Sequence, residues 1–272
     1  MKTQPNQKTA EDRIIARKPR TTGRLTASNI GKHCAQSWII RCFPKNLLLF
    51  VLLLLSARGV LLGDTPVSGV IAGATWTKAA QPYLVVGDIL VSTLTIQPGV
   101  TVKFASNYSF TIGNRLTAVG TAVDPIVFTP TNWVAGWGGI FFDSAGSASE
   151  LGFCRVDGAV NSGLRVHASA PNIHDGQVIS NSVAGPGGGI WTDSPVTLIR
   201  CLIANNNALR EGGGIWSSAT LTITDCNVTT NLVTGTSTAG GGVFVTGILT
   251  MTGATVSDNR IAAFRYDNSA NC

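Results

Sequence analysis

The chain has 272 residues, enough for one domain, and is rich in Gly, Thr, Ser and Asn with only 12% charged residues. Its net charge of +6 is unevenly placed: residues 1–46 hold ten Lys/Arg against two Asp/Glu, and residues 47–272 hold ten against twelve. A near-neutral body excludes nucleic-acid binding driven by charge, and three scattered histidines with no Cys-x-x-Cys pair exclude the common zinc sites, so neither a cofactor nor a metal is expected.

Residues 1–46 read as a disordered basic region or an extension ahead of the true start. The run "NLLLFVLLLLSA" follows, ended by Arg58. At about 1.5 Å per residue, Leu47 to Ala57 reach about 16 Å, short of a bilayer core near 30 Å. With Arg41 and Lys45 on its amino side, the run has the length and flanks of a signal-peptide core. Residues 47–63 are therefore expected to direct export, with cleavage before Val60 or near Asp64. The alternative is an uncleaved membrane anchor at 47–57. Cys34 and Cys42 would leave with the cleaved segment.

Residues 64–272 repeat themselves. Gly188-Gly189-Ile190-Trp191 returns as Gly213-Gly214-Ile215-Trp216 and as Gly241-Gly242-Val243-Phe244. Downstream of each block an aliphatic residue precedes an asparagine by three: Val178 and Asn181, Ile203 and Asn206, Val228 and Asn231, Val256 and Asn259. The asparagines lie 25, 25 and 28 residues apart, a period that marks a stacked-repeat architecture. Inside one repeat the apolar residues alternate, as in Val196, Leu198, Cys201, Ile203, and no sustained helical face appears. One coil of about 25 residues with two or three short strands is the size of a β-helix rung. The reading is all-β: a single-stranded right-handed parallel β-helix, or solenoid, continuing to Cys272, where the sequence stops within a repeat.

Residues one rung apart then stack at about 4.8 Å, and the columns should be chemically uniform. Ile140, Leu164, Ile190, Ile215 and Val243 form one interior column, Ile173, Leu198, Ile223 and Met251 a second, and Gly176, Cys201, Cys226 and Ala254 a third. Asn181, Asn206, Asn231 and Asn259 read as a turn ladder, their side-chain amides stacked and their backbones expected to be left-handed. Losing one amide should cost about 1–3 kcal/mol. The glycines read as close-packed bends rather than a phosphate cradle, since none is followed by Lys-Ser/Thr.

These repeats resemble those of right-handed parallel β-helix proteins of the pectin-lyase-like class. They are especially similar to the Gly-Gly-x-Ile and Phe-x-x-Asn repeats of chlamydial-type polymorphic outer membrane proteins, with Val or Ile here in place of Phe. The stretches "YLVVGDILVSTLTIQPGVTVKF", "LTAVGTAVDPIVFTP" and "WGGIFFDSA" resemble the opening rungs of bacterial secreted β-helix proteins. The resemblance covers roughly residues 68–260 and implies a bacterial, exported protein. It implies less about activity, since the fold carries lyases, hydrolases, adhesins and inert scaffolds. Lyases of the class use calcium-binding acidic clusters with a catalytic Arg or Lys, and the hydrolases use clustered aspartates; no such set matches here residue by residue.

Three outward constellations remain. Phe141, Arg165, Trp191, Trp216 and Phe244 follow the inward aliphatics and form an aromatic strip able to meet glycans or a protein partner. Asp143, His167, Asp193 and Ser218 lie two residues further on, where a His between two carboxylates reads as an acid/base pair with Asp143, His167 and Asp193 as the catalytic candidates, as a weak metal site, or as an ordinary polar turn. Asp175, Arg200 and Asp225 read as a solvated ladder of alternating charge. The expectation is a secreted or cell-surface, non-enzymatic scaffold that meets a polysaccharide or cell-surface partner. The alternative is a polysaccharide lyase or glycoside hydrolase.

Overall fold

The computed structural model describes residues 63–145, 149–235 and 239–262. The basic region, the apolar run at 47–57, both cleavage sites, Cys34 and Cys42 lie outside the described residues. Within them the chain is a right-handed parallel β-solenoid of about 7 turns. Strands stack on their equivalents one coil away, as Ile190 does on Leu164 below and Ile215 above.

One coil shows how the sequence makes a rung. Ile190–Thr192 forms the first face, Val196–Ile199 the second, Leu202–Ala204 the third and Asn207–Ala208 a short fourth. Alternation sends Ile190, Val196, Leu198 and Ile203 inward, all buried, and turns Trp191, Thr197, Ile199 and Leu202 toward the surface. The fourth face is one strand more than the sequence pattern shows, because two residues are too few to display an alternation. Near the amino end, long strands such as Tyr83–Ile96 run from the third face directly into the first and second.

The three interior columns are continuous. The first runs through Ile89, Phe110, Ile140, Leu164, Ile190, Ile215 and Val243, and the second through Leu151, Ile173, Leu198, Ile223 and Met251. In the third, Cys154 precedes Gly176, Cys201 and Cys226. The early rungs are filled by rings, with Trp76 stacked on Tyr83 at 4.6 Å and Phe104 on Trp137 at 3.9 Å. Aliphatic side chains fill the later rungs.

The asparagine ladder forms as read, through a different backbone. Asn181, Asn206 and Asn231 are buried, and each donates from Nδ2 to the Oδ1 of the next at 3.1, 2.9 and 2.9 Å, ending on Asn259. Left-handed φ values fall one residue earlier, at Ser180, Asn205, Thr230 and Asp258. The asparagines are therefore not selected for tolerance of that conformation. They are selected for an amide that can donate and accept along the axis.

The triple glycine now has a physical account. Gly212 has φ +68°, a left-handed conformation. A Cβ on Gly213 would strike the Gly241 carbonyl of the next rung, and one on Gly214 would lie 2.6 Å from the Gly242 carbonyl and 2.9 Å from Asn231 Nδ2. Gly189 and Gly242 bear the same relation to Asn206 and Asn259. The two halves of the repeat motif are one device: glycine leaves the space that the asparagine amide occupies.

Candidate functional site

The first face carries the aromatic strip. Phe141, Arg165, Trp191, Trp216 and Phe244 are in register on five successive rungs, each half-buried. The column continues toward the amino end through Thr111 to Leu90 and Val70, which are 46% and 69% exposed. Trp191 and Trp216 stack with centroids 5.5 Å apart and planes 6° from parallel. The Arg165 guanidinium lies 5.1 Å from the ring centroids of both Phe141 and Trp191. The rung repeat is close to an aromatic stacking distance, so flat groups in one column cover each other's faces and present their edges. Arg165 substitutes for a ring by cation–π contact.

Beside the strip runs the polar column. Asp143 is in register with His167, whose Nδ1 lies 2.6 Å from Asp193 Oδ2. Burial works against the Asp193 carboxylate, but hydrogen bonds from His167 and Ser194 hold its pKa below the ordinary value. Ser218 pairs through its backbone with Thr192. His167 is half exposed, and its contact with Asp193 is a surface hydrogen bond between an imidazole and a carboxylate.

The third constellation is reshaped. Asp175, Arg200 and Asp225 are not strand residues; with Phe153 and Gly253 they form a left-handed corner between the second and third faces. Arg200 donates twice to Asp175, each at 2.6 Å. A group that the sequence pattern does not reveal completes the network: His174 bonds Asp175 through Nδ1 at 2.8 Å and Glu150 through Nε2 at 3.0 Å. Its ring fills the space above Gly152, where a Cβ would collide with it. The Asp175 carboxyl is lowered to about 2, chiefly by Arg200. Burial opposes the charge on His174, but the two carboxylates outweigh it and raise its pKa. A group raised in the folded state stabilises below its unfolded value, near 6.5, and loses that contribution as pH rises through the folded value. Thermal unfolding should therefore fall from pH 6 to 8 more steeply in the parent chain than in His174→Gln. Parallel curves would contradict this.

Beside this corner lies a groove of about 430 Å³ lined by Pro125, Val127, Phe153, Arg155, Asp175 and Gln177. Phe153 holds φ +48°, an uncommon conformation for a bulky residue, at a position that Gly253 fills without strain four rungs later.

Cys154, Cys201 and Cys226 are buried free thiols. The Cys201 N–H donates to Cys226 Sγ at 3.2 Å. The Cys201 thiol beside it lowers Cys226 to about 7, while Cys226 and burial push Cys201 up. Among the described residues no cluster of three or more His, Cys, Asp and Glu is placed to hold a metal ion, and no helix is long and apolar enough to cross a membrane.

Comparison with protein-family models, with curated proteins and with solved structures finds no match to this chain.

Proposed function

We propose that this chain is an exported solenoid scaffold of the polymorphic-outer-membrane-repeat kind, within the broader pectin-lyase-like β-helix class. In this reading the first-face strip is its interaction surface, and the partner is a protein or glycan at a cell surface. The observation that carries the reading is the half-exposed, in-register column Phe141-Arg165-Trp191-Trp216-Phe244, prolonged by Leu90 and Val70. The aromatic surface of this column, interrupted by Arg165 and by Thr111 ahead of Leu90, is costly to leave in water, and such surface marks interaction sites. The apolar run at 47–57 supports export, and the near-neutral body speaks against nucleic acid.

The stacking geometry favours a protein over a sugar. Pyranose rings bind indoles face to face, and the faces of Trp191 and Trp216 are turned on each other. Edges in a row suit an apolar partner surface lying along the axis. The enzymatic alternative has His167 and Asp193 in contact, on an open face beside the strip.

The double substitution Trp191→Ala with Trp216→Ala should reduce partner capture at least tenfold with the circular dichroism unchanged. Polysaccharide arrays and uronide-cleavage assays on the same protein, alongside His167→Ala, separate the readings. Cleavage that requires His167 would overturn the scaffold proposal, as would capture that survives the loss of both tryptophans.

A further inference from the structure

Cys201 and Cys226 are successive members of one interior column, both inside the solenoid, with the backbone N–H of the first directed at the sulfur of the second at 3.2 Å. Nothing in the proposed scaffold function uses them. Their geometry is poor for a disulfide, which brings its Cβ atoms to about 3.8 Å, whereas residues stacked on adjacent rungs repeat at about 4.8 Å with parallel Cβ vectors. The same geometry suits an atom placed between the sulfurs. Metal–thiolate bonds are about 2.3 Å, so two sulfurs held in line by one ion need about 4.6 Å between them, close to one rung.

We infer that Cys201 and Cys226 form a two-coordinate site for Cu(I) in the solenoid interior. The donor set selects the ion. Zinc requires four ligands, and the buried side chains beside the two cysteines on their own rungs are Leu198, Ile203, Ile223 and Val228, which offer none. Thiolate ligands favour Cu(I), and a dry aliphatic wall excludes the water and carboxylates that harder cations require. Binding is balanced without electron transfer: two thiols take one Cu(I), form two copper–sulfur bonds and release two protons. The Cys201 N–H favours the thiolate on Cys226. Of the flanking charges, Arg200 before Cys201 favours the anionic complex and Asp225 before Cys226 opposes it.

Cys154 stands in the same column but does not belong to the site. Gly176 lies between it and Cys201, leaving a small void of about 10 Å³ lined by both cysteines and separating them by two rungs. Entry is from the other side, where Ala254 follows Cys226 in the column and is only half-buried.

The test uses the full chain with Cys34, Cys42 and Cys272 replaced by Ser, titrated anaerobically with Cu(I) in the presence of a bathocuproine chelator. One Cu(I) per chain is expected to resist the chelator. Cys201→Ala and Cys226→Ala, which place in the column the residue type it already holds at Ala254, should each weaken retention at least a hundredfold, and Cys154→Ala should leave it unchanged. X-ray absorption on the loaded parent supplies a reading that no variant's folding can disturb: two sulfur neighbours and no nitrogen or oxygen. Failure of the parent to retain copper overturns the site, as does retention by either alanine variant, loss with Cys154→Ala, or a coordination shell containing nitrogen or oxygen.

Discussion

Asn206→Leu should destabilise the solenoid by about 3–5 kcal/mol, above the cost of about 1–3 kcal/mol expected from the sequence alone, because more than a single hydrogen bond is lost. The Asn206 side chain makes four bonds: Nδ2 donates to Val178 O and Asn231 Oδ1, and Oδ1 accepts from the backbone N–H and the Nδ2 of Asn181. Leucine fills the volume and satisfies none of them. The Asn181 backbone N–H and the Val178 carbonyl then lose their side-chain partner, each at about 1–3 kcal/mol before relaxation, while Asn181 Nδ2 keeps Val156 O and Asn231 Oδ1 keeps the backbone N–H of residue 206. Asn207→Leu is the control, because Asn207 already stacks on Leu232 and its Oδ1 is buried without a partner. Urea unfolding should show the first variant shifted strongly and the second by less than about 0.5 kcal/mol in either direction. Equal shifts would mean that the amides contribute no more than their volume.

Gly214→Ala should cost about 2–4 kcal/mol, although it adds one methyl group and changes no charge. The new Cβ would meet the Gly242 carbonyl at 2.6 Å and Asn231 Nδ2 at 2.9 Å. The carbonyl belongs to the backbone of the next rung and the amide is fixed by its own ladder bonds, so neither can yield without opening the stack. Combining it with Asn231→Ala, which removes the amide but not the carbonyl, should cost less than the sum of the two changes, because the substitutions share a contact. Strict additivity would separate the glycine motif from the asparagine motif.

The interior columns and the aromatic strip are legible in the sequence because stacking makes chemical type repeat at the rung period, and inward positions take apolar side chains, aromatic in the early rungs and mainly aliphatic in the later ones. The ladder is legible for the same reason. Its backbone is not, since the left-handed position is filled by Ser180, Asn205, Thr230 and Asp258, polar residues with no common side-chain role. Cys154 escapes notice because 22 residues separate it from Gly176, against 25 from Gly176 to Cys201, so a fixed period misplaces it. The His174 network is hidden for a different reason. Its column reads Gly152, His174, Ile199, Thr224, and only the contact across rungs with Glu150 gives the histidine its meaning.

The central claim is that successive coils are locked in register by buried amides, and side-chain amide exchange measured by NMR reads this directly. The Nδ2 protons of Asn181, Asn206 and Asn231 should exchange only through global unfolding, while those of the neighbouring Asn205 and Asn227, exposed at the surface, exchange within the dead time. In Asn206→Leu, protection at Asn181 should fall by at least a hundredfold. Rapid exchange at all three ladder positions in the parent chain, or protection at Asn181 that survives the loss of Asn206, would contradict the stacked-amide account.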